Sequence, residues 1–359
     1  MNAIASRKSK PLWADFLSVI LLAVVSALLG AFVNVMDTFV INKGFLAVDQ
    51  LSSGFVMTPE FVRTNVLAYL ILGSWVGILV NIGFNHTIGK SLQKDFKREN
   101  WVSWKAQKSM FLTGFLAACF TFTQIYVATG RDPSYLIALS GFNIVWLVIY
   151  EAIRAKTALT SMLKKLMFIT LAIAGSILTS LESVELGQFR WEPVLLMTIV
   201  VGITMAISRV IETETCNDCG GEVNFNFWRF LWLGVTGTAI SIIYAYLTNT
   251  LSMLVEILKD RAMIALIFVL ITMFLAYGNN LLRISAEKHS GKGNADRVSI
   301  ILSSQAVFAV PLGIMAWKLL PNIYSFPQDP IVWVLRTLGV LLVLVGVLVL
   351  EKTRKKAVV

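Results

Sequence analysis

The stretch Ala262-Met-Ile-Ala-Leu-Ile-Phe-Val-Leu-Ile-Thr-Met-Phe-Leu-Ala-Tyr-Gly-Asn-Asn-Leu-Leu282 contains no charged side chain. About 20 mostly apolar residues in a helix cross a hydrocarbon core roughly 30 Å thick, so this run reads as a membrane span. Nine more runs of the same kind surround it: Leu12–Val33, Asn65–Phe84, Met110–Ala128, Ser134–Ile153, Leu166–Leu181, Pro193–Val210, Phe227–Thr248, Val298–Trp317 and Ile331–Leu350. Helices are required because unpaired strand edges cannot persist in lipid, and no alternating barrel pattern occurs. The first run follows Arg7, Lys8 and Lys10 as a signal peptide would. It lacks a convincing small-residue cleavage site and reads as a retained helix. The expected fold is therefore an all-α integral membrane protein of ten transmembrane helices.

Composition agrees. The 359 residues are 57% hydrophobic and 14% charged, with a mean hydropathy of +0.74. Soluble domains carry roughly 45–50% apolar and about 25% charged residues, so this chain has too little charge to cover a water-facing surface. The distribution of cations tests the span count independently. With a cytosolic N-terminus and ten spans, 23 of the 31 lysines and arginines fall on inner segments and 8 on outer ones, as the positive-inside rule requires. An odd number of spans would break that alternation. Both termini are expected in the cytoplasm, in a plasma (inner) membrane. The net charge of +10 then lies beside anionic lipid headgroups and does not call for a nucleic acid.

Loops are short, so no soluble domain is expected. The inner segment Thr87–Ser109 carries six cations with Trp101 and Trp104, which suits a short interfacial helix. Catalytic constellations are thin. His86 and His289 belong to no metal-binding spacing, and no GxSxG or Walker A sequence occurs. Cys216-Asn-Asp-Cys219 could be half of a metal site, with Glu214, Asp218 and Glu222 as oxygen ligands. It reads more simply as a polar turn ending in Gly220-Gly221. Cys119 lies inside the third run. No cofactor or enzymatic activity is expected, and a membrane enzyme is disfavoured by the lack of clustered His, Cys or carboxylates at one interface.

Ten helices divide into five and five, residues 1–185 and 186–359. The fifth and tenth runs share a central glycine, Leu171-Ala-Ile-Ala-Gly175-Ser-Ile-Leu178 and Leu342-Val-Leu-Val-Gly346-Val-Leu-Val349. The fourth and ninth correspond as Leu136-Ile-Ala-Leu-Ser140 and Ile300-Ile-Leu-Ser-Ser304. Five being odd, the second unit enters from the opposite side, and an inverted repeat follows. Such repeats hold a substrate near the midplane, between bundles that rock.

On these features the chain resembles the drug/metabolite transporter superfamily, in particular its ten-helix EamA-type members. Glu151 fits the glutamate that often ends their fourth helix; the matching position in the ninth is Lys318, a departure. The resemblance implies movement of small organic solutes by alternating access, often as export, by a monomer or homodimer in contact with membrane lipids.

Polar side chains at membrane depth are the best pointers to a pathway. These are Gln124, Asn143, Thr204, Tyr277, Asn279, Asn280 and Gln305, with Trp75 and Trp146 away from the interfacial belts. Each amide serves either as glue between helices or as pathway lining. Substrate binding is expected among Trp75, Gln124, Asn143, Trp146, Thr204, Tyr277, Asn280 and Gln305. Asn34 and Asp37 close the first helix, Asp37 being interfacial or a coupling carboxylate. Arg209, Arg229 and Arg283, at helix ends, read as snorkelling anchors. A solute transporter is the leading reading; a lipid or lipid-linked sugar translocase and a non-transporting membrane protein are the alternatives.

Overall fold

The computed structural model describes residues 12–46, 58–128, 143–154, 195–290, 295–302, 305–319 and 329–357, with residue 192 and part of 166–181. Among these the fold is all helical. We number α1 Leu12–Phe39, α2 Pro59–Leu92, α3 Trp104–Ala128, α4 Asn143–Arg154, α5 Gly202–Thr215, α6 Glu222–Leu247, α7 Leu251–Glu256, α8 Ala262–Ser290, α9 Ala295–Leu302, α10 Gln305–Leu319 and α11 Pro330–Ala357. Wider π-helical turns extend α1 to Gly44, precede α5 (Leu196–Val201) and join α7 to α8 (Ile257–Arg261). The repeat boundary at 185 and the side chain of Glu151 lie outside the described residues.

Among the described residues, six helical stretches are long and apolar enough to cross a membrane: Val19–Gly44, Pro59–Ser91, Trp104–Val127, Leu196–Thr215, Glu222–Leu247 and Leu251–Ser290. Val310–Leu319 and Pro330–Gly346 are shorter apolar stretches. The surface has the polarity of a membrane protein. Leu21, Leu79, Ile243, Leu247, Met263 and Ile267 face outward, while Ser26, Asn81, Asn85, Asn226 and Thr272 are buried. In water such an apolar exterior would drive association; in lipid it costs nothing, and polar groups turn inward to find partners.

The helices outrun their hydrophobic segments. Local chemistry explains where they end. Thr58 caps α2 by accepting from Phe61 N–H at 3.2 Å, with Pro59 in the first turn. α5 and α6 meet at the turn Cys216–Gly221, where Gly220 and Gly221 adopt φ +86° and +92°, conformations that disfavour any side chain. The 93–103 segment is irregular where the sequence suggested a helix. Cross-links fix it: Gln93 Nε2 donates to Gly220 O at 2.7 Å, Asn224 Nδ2 to Asn100 O at 3.2 Å, and Trp228 Nε1 to Asn100 O at 2.9 Å. Their combined hydrogen bonds outweigh those of an isolated short helix, which is marginal by itself.

α1 lies along α8, and α6 packs between α2 and α3. An apolar cluster of Ile41, Phe45, Val66, Leu67, Val269 and Leu254 closes one end of this bundle. A second, with Met110, Cys216, Cys219, Phe225 and Ile284, closes the other. Residues within 166–181 cross α11 at Gly175, where a Cβ would come within 2.5 Å of Gly339 O and 2.8 Å of Val343 N. Only a glycine permits that approach.

Candidate functional site

Between the two apolar clusters lies a cavity of about 190 Å³, walled by α1, α2, α3, α5, α6, α8, α9 and α10. At roughly 10–15 Å³ per water it has room for on the order of ten waters, or for one small solute. Its walls mix apolar side chains (Val33, Leu70, Phe120, Met205, Phe230, Leu233, Met273) with polar ones.

One end is closed by Asp37 and Tyr69. Tyr69 Oη donates to Asp37 Oδ1, and Tyr69 is 2% exposed. Asn34, Ser74, Gln124, Asn279 and Gln305 add neutral polar groups to the cavity lining. Asn279 also ties α8 to α1, accepting from Ser26 Oγ at 2.7 Å.

The other end holds five charged residues from three helices. Arg209 Nη1 donates to Glu287 Oε1 at 2.6 Å and Arg229 Nη1 to Glu212 Oε1 at 3.0 Å. Arg283 reaches both carboxylates: Glu212 Oε2 through Nη1, and Glu287 Oε1 at 3.1 Å. Ser208 Oγ donates to Glu212 Oε1 at 3.2 Å. Asn280 Oδ1 accepts from Arg229 at 3.0 Å and Arg283 at 3.2 Å. All five ionisable side chains are buried. The three arginines are therefore inward-facing members of an ion network and do not snorkel. The apolar runs stop at Val210 and Leu282, short of Glu212 and Glu287, whereas α5 runs on to Thr215 and α8 to Ser290, carrying both carboxylates inward with the arginines.

Of the residues singled out from the sequence, Gln124, Asn280, Gln305 and Asp37 line the cavity, as do Asn34, Asn279 and the three arginines. Trp75, Asn143, Trp146, Thr204 and Tyr277 stand apart from it. Trp75 is 42% exposed and donates to Thr238 Oγ1 at 3.1 Å. Trp146 donates to Thr198 O at 2.9 Å, and Thr204 to Val200 O at 2.6 Å in its own helix. Tyr277 donates to Asn85 Oδ1 at 2.9 Å, and Asn143 is buried in α4. Tyr69 and the ion network were missed. Their signal was a set of balanced charges three or four residues apart at helix ends, Arg209 with Glu212 and Arg283 with Glu287.

Cys216 and Cys219 belong to an apolar cluster, and Cys219 Sγ donates weakly to Ala106 O at 3.7 Å. Burial pushes the Cys219 thiol up to about 11 and the Cys216 thiol well above its ordinary value, which keeps both poor nucleophiles at neutral pH. Among the described residues, no three His, Cys, Asp or Glu are grouped so as to hold a metal ion.

No protein-family model matches the chain, and no curated protein compared with it is similar. One solved crystal structure of a protein shares its fold at a TM-score of 0.50, with 12% identity over 92% of this chain and 99% of that one. At that identity the likeness concerns fold alone.

Proposed function

We propose that this chain is a secondary transporter of the EamA type, moving a small organic solute by alternating access, with export as the direction. The observation that carries this reading is the cavity of mixed polar and apolar lining, whose wall draws on α1 to α3 from the first half of the chain and on α5, α6 and α8 to α10 from the second. A pocket built from both halves can open to either side when they rock. Gln124, Asn280 and Gln305 would supply hydrogen bonds to the solute, and Leu70, Phe230 and Met273 its apolar contacts.

The reading includes ten spans in two inverted five-helix units, with cytosolic termini in a plasma membrane, and no enzymatic activity. Helical residues within every one of the ten apolar runs support the count. The packing of Gly175 on α11 supports a structural role for the glycine in the fifth run.

Solute flux in proteoliposomes tests it. Gln124→Ala, Asn280→Ala and Gln305→Ala should each reduce flux, while Trp75→Ala, on the outward face, should leave it near wild type. Scrambling of a fluorescent lipid without any solute flux would replace the proposal with a lipid translocase.

A further inference from the structure

The charges at the arginine end do not cancel. Arginine stays protonated in proteins, so Arg209, Arg229 and Arg283 contribute three positive charges against at most two negative ones from Glu212 and Glu287. The neighbouring ion pairs Lys288–Glu222 and Arg154–Glu214 are each one to one, so they offer no spare anion. Asp37 is held by Tyr69 at the far end, and Arg283 lies eleven residues beyond Thr272, which also hydrogen-bonds Tyr69. That is about 16 Å along α8.

Hydrogen bonding is incomplete in the same place. Arg209 and Arg229 are 7% and 3% exposed and both line the cavity. Each retains a buried Nε–H without a partner among the described residues. Asn280 cannot add an acceptor, because its Oδ1 already serves Arg229 and Arg283 while its Nδ2 donates to Ala276 O at 2.9 Å. A buried excess cation with orphaned donors is costly unless an anion completes it.

We propose that the arginine end of the cavity binds the anionic oxygen group, carboxylate or phosphate, of a small soluble solute. This rests on the transport reading for its biological use, but binding itself does not. Guanidinium groups recognise these oxyanions by paired N–H donors. Leu70, Phe230, Leu233 and Met273 would hold the solute's apolar body, leaving Gln124 and Gln305 for its neutral polar groups. An α-amino acid is too short to join its carboxylate to the arginines and its ammonium to Asp37 across that distance.

The test is binding to the purified full chain in nanodiscs, using inorganic phosphate, benzoate and its uncharged isostere benzamide. Benzoate and phosphate should bind and raise the thermal midpoint, and benzamide should not. Arg209→Gln and Arg229→Gln should each weaken benzoate by about tenfold or more, the loss expected of a charged hydrogen bond. Glu287→Gln, which removes a competing negative charge, should strengthen it. Equal binding of benzoate and benzamide, or no binding of either anion, would overturn the proposal, and that wild-type comparison holds even if an arginine variant does not fold. Benzoate affinity should be the same in phosphatidylcholine and phosphatidylglycerol nanodiscs at equal ionic strength. Displacement by phosphatidylglycerol would instead assign the site to a lipid headgroup. Anion binding without any solute flux would sink the transport reading alone; flux with no anion binding would sink this one alone.

Discussion

Arg209 Nη1 and Glu287 Oε1 lie 2.6 Å apart although their residues are 78 positions apart in the chain. The pair joins α5 to α8 inside the bundle, with both side chains under 9% exposed. Ion pairs so deeply buried contribute less by their presence than their loss costs, because either partner left alone is an uncompensated charge. Arg209→Met and Glu287→Met should each destabilise by about 3–5 kcal/mol. The double replacement should cost less than the sum, and denaturation midpoints in one detergent would check it. Strict additivity would show that the two charges are not coupled.

Tyr69 and Asp37 pose the same problem with one hydroxyl. Tyr69→Phe removes the donor to a half-buried carboxyl group and should cost about 1–3 kcal/mol. Tyr69→Phe combined with Asp37→Leu should recover part of that loss in thermal unfolding, since no polar group is then left without its partner.

Two glycines in helical segments should behave oppositely. Gly175→Ala pushes a Cβ into Gly339 O and Val343 N and should cost about 1–3 kcal/mol. Gly83→Ala meets nothing within 4 Å and should be neutral or stabilise α2 by up to about 1 kcal/mol. A larger loss at Gly83 than at Gly175 would contradict the packing.

The cysteine turn has a defined pH dependence. Cys219 carries a folded value of about 11 against an ordinary 9.0, so the folded state holds its proton more tightly than the unfolded state does. Its contribution to stability is full below pH 9, and it is lost as pH rises through about 11. In a Cys119→Ser background, iodoacetamide should label native protein slowly at pH 8 and unfolded protein quickly. Fast native labelling at pH 8 would show a thiolate and an open turn.

Helices long and apolar enough to cross a membrane were legible because a helix of sufficient apolar length satisfies its own backbone, a property of consecutive residues. The irregular 93–103 segment was not, because its partners Gly220, Asn224 and Trp228 come from a turn and helix more than a hundred residues away.

Among the polar residues picked out by depth, Gln124, Asn279, Asn280 and Gln305 came together at the cavity with Asp37, while Trp75 turned outward. Depth in a span says how far along a helix a residue lies; it does not say which way the side chain points once neighbouring helices have packed.

The amino-acid sequence by itself determined a helical chain suited to lipid, since run length and hydropathy are local quantities. Only the tertiary structure decided that Arg209, Arg229 and Arg283 meet Glu212 and Glu287 at one end of a cavity. Helix ends follow capping groups and turns rather than the first charge, so these side chains were carried inward. Burial then left each charge no solvent, and partners on distant helices had to supply what water would have given.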